Sequence, residues 1–268
     1  MKKVGVVGWP IAHSRSPVIF AHWFQRYGID ARYELIPVPP DEADAFFAAL
    51  PAEWTGVNVT IPHKATAARH VALEGAGARL GVANTLWRDG DTVRGTSSDG
   101  GGFVKSLDAA HPAWRDVEGP AVVLGAGGAA VAIVDALMAE GRRVVIANRT
   151  AAKAEALATQ TGAAAVPLAR LPEALETAAL FVNTTALGME GSAPLEIDLA
   201  PLPATATVAD IVYNPLETGL LQQARARGLV GVDGLGMLLH QATLGFERWF
   251  GIAPEVDAAL RAKVVATL

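Results

Sequence analysis

The chain has 268 residues, of which 51% are hydrophobic, with a net charge of −5 at neutral pH and no cysteine. This charge gives no general attraction for nucleic acid, and the missing cysteines exclude disulfides, thiol nucleophiles and cysteine-bound metals. The apolar runs are shorter than the roughly 18 residues that span a membrane, and the first residues predict a strand rather than a signal peptide. We therefore expect a cytoplasmic protein without a membrane or nucleic-acid partner.

The first third of the chain alternates short apolar strands with helices, which predicts a mostly parallel sheet covered by helices. The predicted strands cover residues 3–7, 32–38 and 55–60, and the predicted helices cover residues 17–27, 40–50 and 64–73. Ligands of such sheets bind at the carboxyl ends of the strands. Ser14, Ser16, Thr60 and Lys64 fall at that edge. The two serines suit a small anion or the cap of the following helix, with Ser16 as its N-cap.

A hairpin is predicted next, from residues 82–87 and 91–94, with Asp89-Gly90 as its turn. Asn84 at its start is either a binding residue or a simple turn residue. Asp99 follows the hairpin and precedes a helix over about residues 101–110, which we expect to link two domains. An Asp at that position also suits a helix N-cap.

The sequence around residue 125 predicts a phosphate-binding turn. Four apolar residues (121–124) indicate a strand buried on both faces, and a helix is predicted over residues 128–140. Between them stands Gly125-Ala126-Gly127-Gly128-Ala129-Ala130, in which two glycines allow a tight turn and Ala130 allows close packing of helix on strand. The helix N-terminus would then face a phosphate. An ordinary strand-to-helix turn that needs glycine is the alternative.

The next strand, residues 144–147, ends in Asn148-Arg149-Thr150, with Lys153 one turn later. An NAD site usually has Asp or Glu at this point, which binds the ribose hydroxyls. Here two cations replace the carboxylate, and guanidinium suits a phosphate. We therefore predict NADP rather than NAD, while Thr150 also suits the N-cap of the next helix.

The alternation continues to a C-terminal pair of helices, which we expect to return to the N-terminal domain. The remaining predicted helices cover residues 151–161, 172–177, 234–250 and 254–267, and the strands cover 163–166, 180–183, 207–211 and 230–232.

Several motifs in order across nearly the whole length resemble those of the shikimate dehydrogenase family. The opening motif is Gly-Trp-Pro-Ile-Ala-His-Ser-Arg-Ser-Pro at residues 8–17, and Asn-Val-Thr-Ile-Pro-His-Lys at residues 58–64 is similar to the family's catalytic-lysine motif. The others cover residues 81–86, 95–100, 125–130, 148–150, 183–189, 210–218 and 234–241.

The resemblance implies an α/β fold with a mixed, mostly parallel N-terminal substrate domain (1–100), a Rossmann-type NADP domain (101–235) and C-terminal helices (236–268). It implies reversible NADPH-dependent reduction of 3-dehydroshikimate to shikimate, in chorismate and aromatic amino-acid biosynthesis, by a monomer or homodimer without a metal. We expect a cleft between the domains, with glycines at 100–102 and 234–236 as a hinge.

The same resemblance implies roles for individual residues. Lys64 and Asp99 would form the catalytic pair. Ser14, Ser16 and Tyr213 would hold the substrate carboxylate, and Thr60, Asn84 and Gln241 would bind ring hydroxyls. The implied cofactor-binding residues are Gly125, Ala126, Gly127, Gly128, Ala129, Asn148, Arg149, Thr150, Lys153, Thr184, Met189, Gly234 and Met237.

Three departures from the family pattern leave alternatives open. Phe20-Ala21 replace a common His-Asn pair, Ser97-Ser98 replace Asn-Thr, and Val131 replaces an arginine after the glycine turn. The first two raise the alternative of a paralogue that acts on quinate or another shikimate analogue. A non-catalytic NADP-binding sensor is an alternative of another class, and a folate-linked dehydrogenase is a more distant one.

Overall fold

The computed structural model describes residues 1–268, which form two compact units. Unit 1 comprises Met1–Ser98 and Gln241–Leu268, and unit 2 comprises Asp99–His240. None of the helices combines the length and the apolar character that crossing a bilayer requires.

Unit 1 contains a mixed sheet of six strands. In chain order they are β1 (Lys2–Gly8), β2 (Ala31–Pro37), β3 (Trp54–Val59), β4 (Ala72–Leu73), β5 (Thr85–Asp89) and β6 (Thr92–Thr96). Their spatial order is β2-β1-β3-β5-β6-β4. β1 pairs in parallel with both β2 and β3, while β5 is antiparallel to β3 and β6. The hairpin therefore reverses the direction of an otherwise parallel sheet.

Short helices connect the strands of unit 1, and two C-terminal helices complete it. They are α1 (Ser16–Tyr27), α2 (Ala43–Ala48), α3 (Lys64–Ala68), α4 (Gly75–Leu80), the second half of α10 (Gly234–Phe250) and α11 (Ala258–Val265). The Trp23 indole donates to the carbonyl of Glu255 at 2.9 Å, and Arg26 forms an ion pair with Asp257 at the start of α11. These contacts hold the C-terminal segment against α1.

Aromatic side chains of α1, β2 and α10 form one buried cluster in unit 1. Phe20 lies at its centre, 4.2 Å from the ring of Tyr33 and 6.0 Å from that of Phe246. Trp249 of α10 also packs on Phe20 and donates its indole N–H to the carbonyl of Leu86 on β5, at 2.9 Å. The C-terminal helix is thus packed and hydrogen-bonded to the sheet formed by the N-terminal residues.

Unit 2 is a doubly wound parallel sheet. Its strands are β7 (Ala121–Leu124), β8 (Val144–Asn148), β9 (Ala164–Pro167), β10 (Leu180–Asn183), β11 (Thr207–Asp210) and β12 (Val230–Val232), in the order β12-β11-β10-β7-β8-β9. All five pairings are parallel. This order places the reversal of winding between β7 and β10, where such folds bind their ligands.

Two apolar clusters cover the two faces of the unit 2 sheet. The helices are α5 (Asp99–Ala110), α6 (Gly128–Ala139), α7 (Ala151–Thr161), α8 (Leu171–Leu175), α9 (Gly219–Ala226) and the first half of α10. Val123 and Val182 point into the cluster that also contains Ile133 of α6. Val122 and Phe181, next to them in sequence, point into the other cluster. The alternation explains why these strands are apolar throughout.

The structure confirms the predicted fold class and most of the predicted elements. The helix predicted over residues 64–73 was wrong in its length, because α3 ends at Ala68 and residues 72–73 pair with β6. The predicted closing helix (254–267) begins only at Ala258, where the Asp257 side chain accepts the N–H of Leu260. Helices α4 and α9 were not predicted.

We predict that Gly56→Ala destabilises the protein by about 2–3 kcal/mol, the cost of overpacking a dense core. A Cβ at residue 56 would overlap the Trp249 indole nitrogen and lie 2.5 Å from the carbonyl oxygen of Leu86. Gly101→Ala is the matched control, since no atom lies within 4 Å of its added Cβ and alanine favours the helix. Urea unfolding measures both, and equal stability of the two variants would contradict this account.

Candidate active site and cofactor site

Two serines lie in the loop between β1 and α1 of unit 1. The Ser16 backbone N–H donates to the Ser14 hydroxyl oxygen at 3.3 Å. The prediction of Ser16 as an N-cap was wrong: Ser16 is the first residue of α1, and Arg15 occupies the cap position without a capping hydrogen bond from its side chain. The Ser14 oxygen accepts in that bond, so its own proton is left for another acceptor.

Thr60 and Lys64 follow β3 at the same edge of the sheet. The Thr60 N–H donates to the carbonyl of Val7 on β1 at 2.9 Å. Lys64 is half-buried at the start of α3, and its carbonyl accepts the N–H of Ala83 at 3.0 Å, which ties it to the segment that carries Asn84. The buried ring of His63 holds this turn through a 2.7 Å hydrogen bond with the carbonyl of Val38.

Asn84 is 3% exposed and its side-chain oxygen accepts three hydrogen bonds. The donors are the Ser98 N–H at 2.8 Å, the Ser98 hydroxyl at 3.1 Å and the Thr85 hydroxyl at 3.1 Å. The Ser98 hydroxyl also lies 3.4 Å from the Gln241 Oε1. Asn84 and Gln241, distant in sequence, are thus joined through Ser98.

A second amide, Asn58 on β3, extends this network. Its Nδ2 donates to the carbonyl of Asn84 and to the Thr85 hydroxyl, both at 3.2 Å. Its Oδ1 accepts the Tyr33 O–H at 2.7 Å. Burial raises the pKa of the Tyr33 phenol well above its usual range, although a hydrogen bond from Ser16 opposes this. The sequence did not identify Tyr33 as part of this network, because the alternation of side chains along a strand does not show which neighbouring strand a given side chain will meet.

The glycine turn of unit 2 is shaped for close approach by a phosphate. Gly125 follows β7 with φ +117°, and a Cβ there would overlap the Thr184 hydroxyl at the end of β10. Added Cβ atoms at Gly127 and Gly128 would meet no atom within 4 Å, so the space over the N-terminus of α6 is open. Three free N–H groups of this 12-residue helix suit an anion there. These residues therefore fit a dinucleotide phosphate.

The residues predicted to contact the ribose phosphate lie at the end of the neighbouring strand, β8. Arg149 and Lys153 are exposed, and the Asn148 side chain donates to the carbonyl of Thr150 at 2.9 Å. Thr150 occupies the N-cap position of α7 as predicted, but its side chain makes no capping hydrogen bond. Residues 148–153, which begin at this strand end, include the two predicted cations and no Asp or Glu.

The remaining predicted residues of unit 2 are more dispersed. Asp99 is the first residue of α5, and Tyr213 follows β11. Met189 is 42% exposed in the loop after β10, and Met237 packs against the core. Gly234 is required by packing, since a Cβ there would overlap the carbonyl of Ile211. Two glycines of the expected hinge are also closely packed, Gly100 against Ala132 and Gly236 against Ser106, while Gly101 has open space where a Cβ would lie.

A buried carboxylate that the sequence analysis missed organises the loops after β10 and β11. Asp210 is 2% exposed and accepts the Thr218 hydroxyl at 2.7 Å, the Asn183 amide at 2.9 Å and the Val212 N–H at 3.1 Å. Burial raises the pKa of this carboxyl, and its three donors oppose the rise. Asp210 thus fixes the loop that carries Tyr213. No group of three His, Asp or Glu residues is placed to hold a metal.

Comparison with known proteins shows the family. The family described as "Shikimate dehydrogenase substrate binding domain" matches residues 6–86, "Shikimate / quinate 5-dehydrogenase" matches residues 113–189, and "Shikimate 5'-dehydrogenase C-terminal domain" matches residues 234–262. A shikimate dehydrogenase (NADP(+)) of Methylocella silvestris is 52% identical over 98% of this chain and 95% of its own length. The chain belongs to the shikimate dehydrogenase family.

Solved structures of shikimate dehydrogenase relatives share the whole fold. The shikimate 5-dehydrogenase of Thermus thermophilus, in complex with NADP(H) and shikimate, is 33% identical with a TM-score of 0.89, over the full length of both chains. The quinate dehydrogenase of Corynebacterium glutamicum, in complex with NAD, is 26% identical with a TM-score of 0.88, over 99% of each chain. Family membership thus leaves a choice of ring substrate.

The departures from the shikimate dehydrogenase pattern occupy defined positions in the fold. Phe20 is fully buried and stacks on Tyr33 rather than lining an open surface. Ser98 bonds to Asn84 and Gln241, while the buried Ser97 hydroxyl has no partner. Val131, on α6, packs against the core of unit 2. Only Ser98 directly contacts predicted substrate-binding residues.

We predict that Asp210→Ala destabilises the protein by about 3 kcal/mol, because three buried donors lose their acceptor. Asp198→Ala is the control, since exposed Asp198 accepts only from the N–H of Ala200 and its loss should cost less than about 1 kcal/mol. Thermal and urea unfolding compare the two, and a cost for Asp210→Ala as small as that of the control would refute the structural role.

Proposed function

We propose that this chain catalyses the reversible NADPH-dependent reduction of 3-dehydroshikimate to shikimate, a step towards chorismate and the aromatic amino acids. The observation that carries the proposal is the 52% identity, over nearly the full length, with a relative named shikimate dehydrogenase (NADP(+)). The polar edge of unit 1 and the glycine turn of unit 2 support it independently. The chain acts in the cytoplasm as a monomer or homodimer.

Unit 1 supplies the substrate contacts in this proposal. Ser14 and Ser16, helped by Tyr213, bind the carboxylate, since hydroxyls and a helix start suit an anion. Thr60, Asn84 and Gln241 bind ring hydroxyls. A site in which every hydroxyl has a partner rejects analogues that lack one, because the partner is then left unpaired.

In this proposal unit 2 holds NADP(H). When bound, the cofactor would supply the hydride that bonds to the ketone carbon. The turn at residues 125–129 binds the diphosphate, and Asn148, Arg149, Thr150 and Lys153 bind the ribose phosphate and adenine. Residues after β10 and at the start of α10 complete the pocket: Thr184, Met189, Gly234 and Met237.

Lys64 acts on the ketone oxygen. As the C–H bond forms, negative charge grows on that oxygen, and a positioned ammonium stabilises the charge and transfers a proton to it. Solvent then reprotonates the lysine. Asp99 is the proposed carboxylate partner, whose negative charge orients the Lys64 ammonium. The cation thus takes the electrophilic role that a metal has in other dehydrogenases.

Lys64→Ala should lower kcat by about two to four orders of magnitude, the usual contribution of general acid catalysis, and leave NADPH binding unchanged. Lys64→Arg keeps a positive charge but holds its proton too tightly, so it should restore only part of the lost rate. Steady-state rates at 340 nm and NADPH fluorescence titration measure these effects. Lys263→Ala, at an exposed position of α11, is the control, and unchanged turnover of Lys64→Ala would remove Lys64 from the mechanism.

Arg149→Ala should raise the KM for NADPH by about ten- to a hundredfold, because a charge-assisted hydrogen bond contributes roughly 1.5–3 kcal/mol. The KM for NADH should hardly change, since NADH lacks the 2′-phosphate. Arg143→Ala is the control, because Arg143 is exposed immediately before β8, at the opposite end from Arg149. Equal effects on both cofactors would show that Arg149 does not read the phosphate.

A second candidate is a dehydrogenase of quinate or another shikimate analogue. It is favoured by the match to a family described as "Shikimate / quinate 5-dehydrogenase" and by Ser98, which replaces a common threonine beside Asn84 and Gln241. Comparison of kcat/KM for shikimate and quinate, each with NADP and NAD, separates the two. No reduced cofactor with any cyclic polyol would instead favour an NADP-binding sensor.

A further inference from the structure

Tyr33 lies outside the proposed substrate contacts but is linked to one of them, Asn84, through Asn58. Its phenol oxygen lies 2.7 Å from the Asn58 Oδ1. Asn58 is 6% exposed, so both ends of its side-chain amide need protein partners. Tyr33 therefore extends the amide network around Asn84.

The direction of each proton in this network follows from the chemistry of its ends. The Asn84 carbonyl can only accept, so the Asn58 amide nitrogen must face it, at 3.2 Å. The Asn58 oxygen then faces Tyr33, and because that oxygen carries no proton, the phenol must be the donor. The orientation of Asn58 is thus determined by a main-chain carbonyl and a phenol.

Phe20 keeps the ring of Tyr33 in position. The two rings are stacked at 4.2 Å with an angle of 24° between their planes, and Trp249 packs against both, at 5.4 Å from Phe20 and 6.5 Å from Tyr33. Phe20 is fully buried, so the Tyr33 ring packs against an apolar side chain that is itself enclosed by the core. The departure from the family pattern at residue 20 therefore affects the second layer of the site through Tyr33.

We propose that Tyr33 is a positioning residue for substrate binding, which orients the Asn58 amide and, through it, the Asn84 segment. The inference rests on the proposed function of Asn84 as a contact for a ring hydroxyl. Tyr33 itself contacts neither the substrate nor the cofactor in this proposal, so its removal weakens ground-state and transition-state binding equally. Such a change raises KM and leaves kcat unaltered.

Tyr33→Phe tests the proposal, because it removes one oxygen and keeps the stacked ring. We expect the KM for shikimate to rise about tenfold, which corresponds to the loss of roughly one buried hydrogen bond. The kcat should stay within about twofold of wild type, and the KM for NADP should not change. Tyr27→Phe is the matched control, since the Tyr27 oxygen accepts only an exposed N–H of Glu255, and both KM values should stay at wild type.

The outcomes separate positioning from stability. If Tyr33 were merely structural, Tyr33→Phe would lower Tm and the active fraction, and thus the apparent kcat, while KM for shikimate stayed at the wild-type value. That result, or an equal rise in KM with Tyr27→Phe, overturns the proposal. Wild-type enzyme without activity on shikimate would instead overturn the proposed function, so the two failures are distinguishable.

Discussion

The rule that a buried amide must have a partner for each polar atom governs the substrate edge of this protein. Asn84 is almost fully enclosed, and its oxygen accepts three donors from Thr85 and Ser98. An unpaired amide at this depth would cost several kcal/mol, so the ends of β5 and β6 are held to one geometry. Asn58 and Gln241 join the same network, which therefore connects four segments of the chain.

The cofactor unit reaches a comparable rigidity by other means. Gly125 of its glycine turn lies too close to Thr184 for a side chain, and the loops after β10 and β11 are held by the buried Asp210 carboxylate. The sheet below is apolar on both faces, so the polar groups of the unit are concentrated at the strand ends. A rigid frame with polar ends suits hydride transfer, where the reacting atoms must be held close together.

The sequence departures from the family show how substitutions act at different depths. Ser98 replaces a residue of the amide network and keeps its hydroxyl, so the bond to Asn84 persists. Phe20 instead supports Tyr33, which is hydrogen-bonded to Asn58. One substitution thus lies in the amide network itself, and the other lies in the aromatic cluster behind it.

The sequence alone determined the fold class, the buried strand at residues 121–124, the glycine turn and the family, because apolar periodicity and local motifs need no knowledge of distant contacts. Tertiary structure alone decided where α3 ends, since residues 72–73 pair with β6. The fold likewise decided that the Ser14 hydroxyl accepts the N–H of Ser16, the first residue of α1. It also decided that Tyr33 meets Asn58, 25 positions away in sequence and two strands away in the sheet. Such pairings depend on strand order and register, which local patterns do not encode.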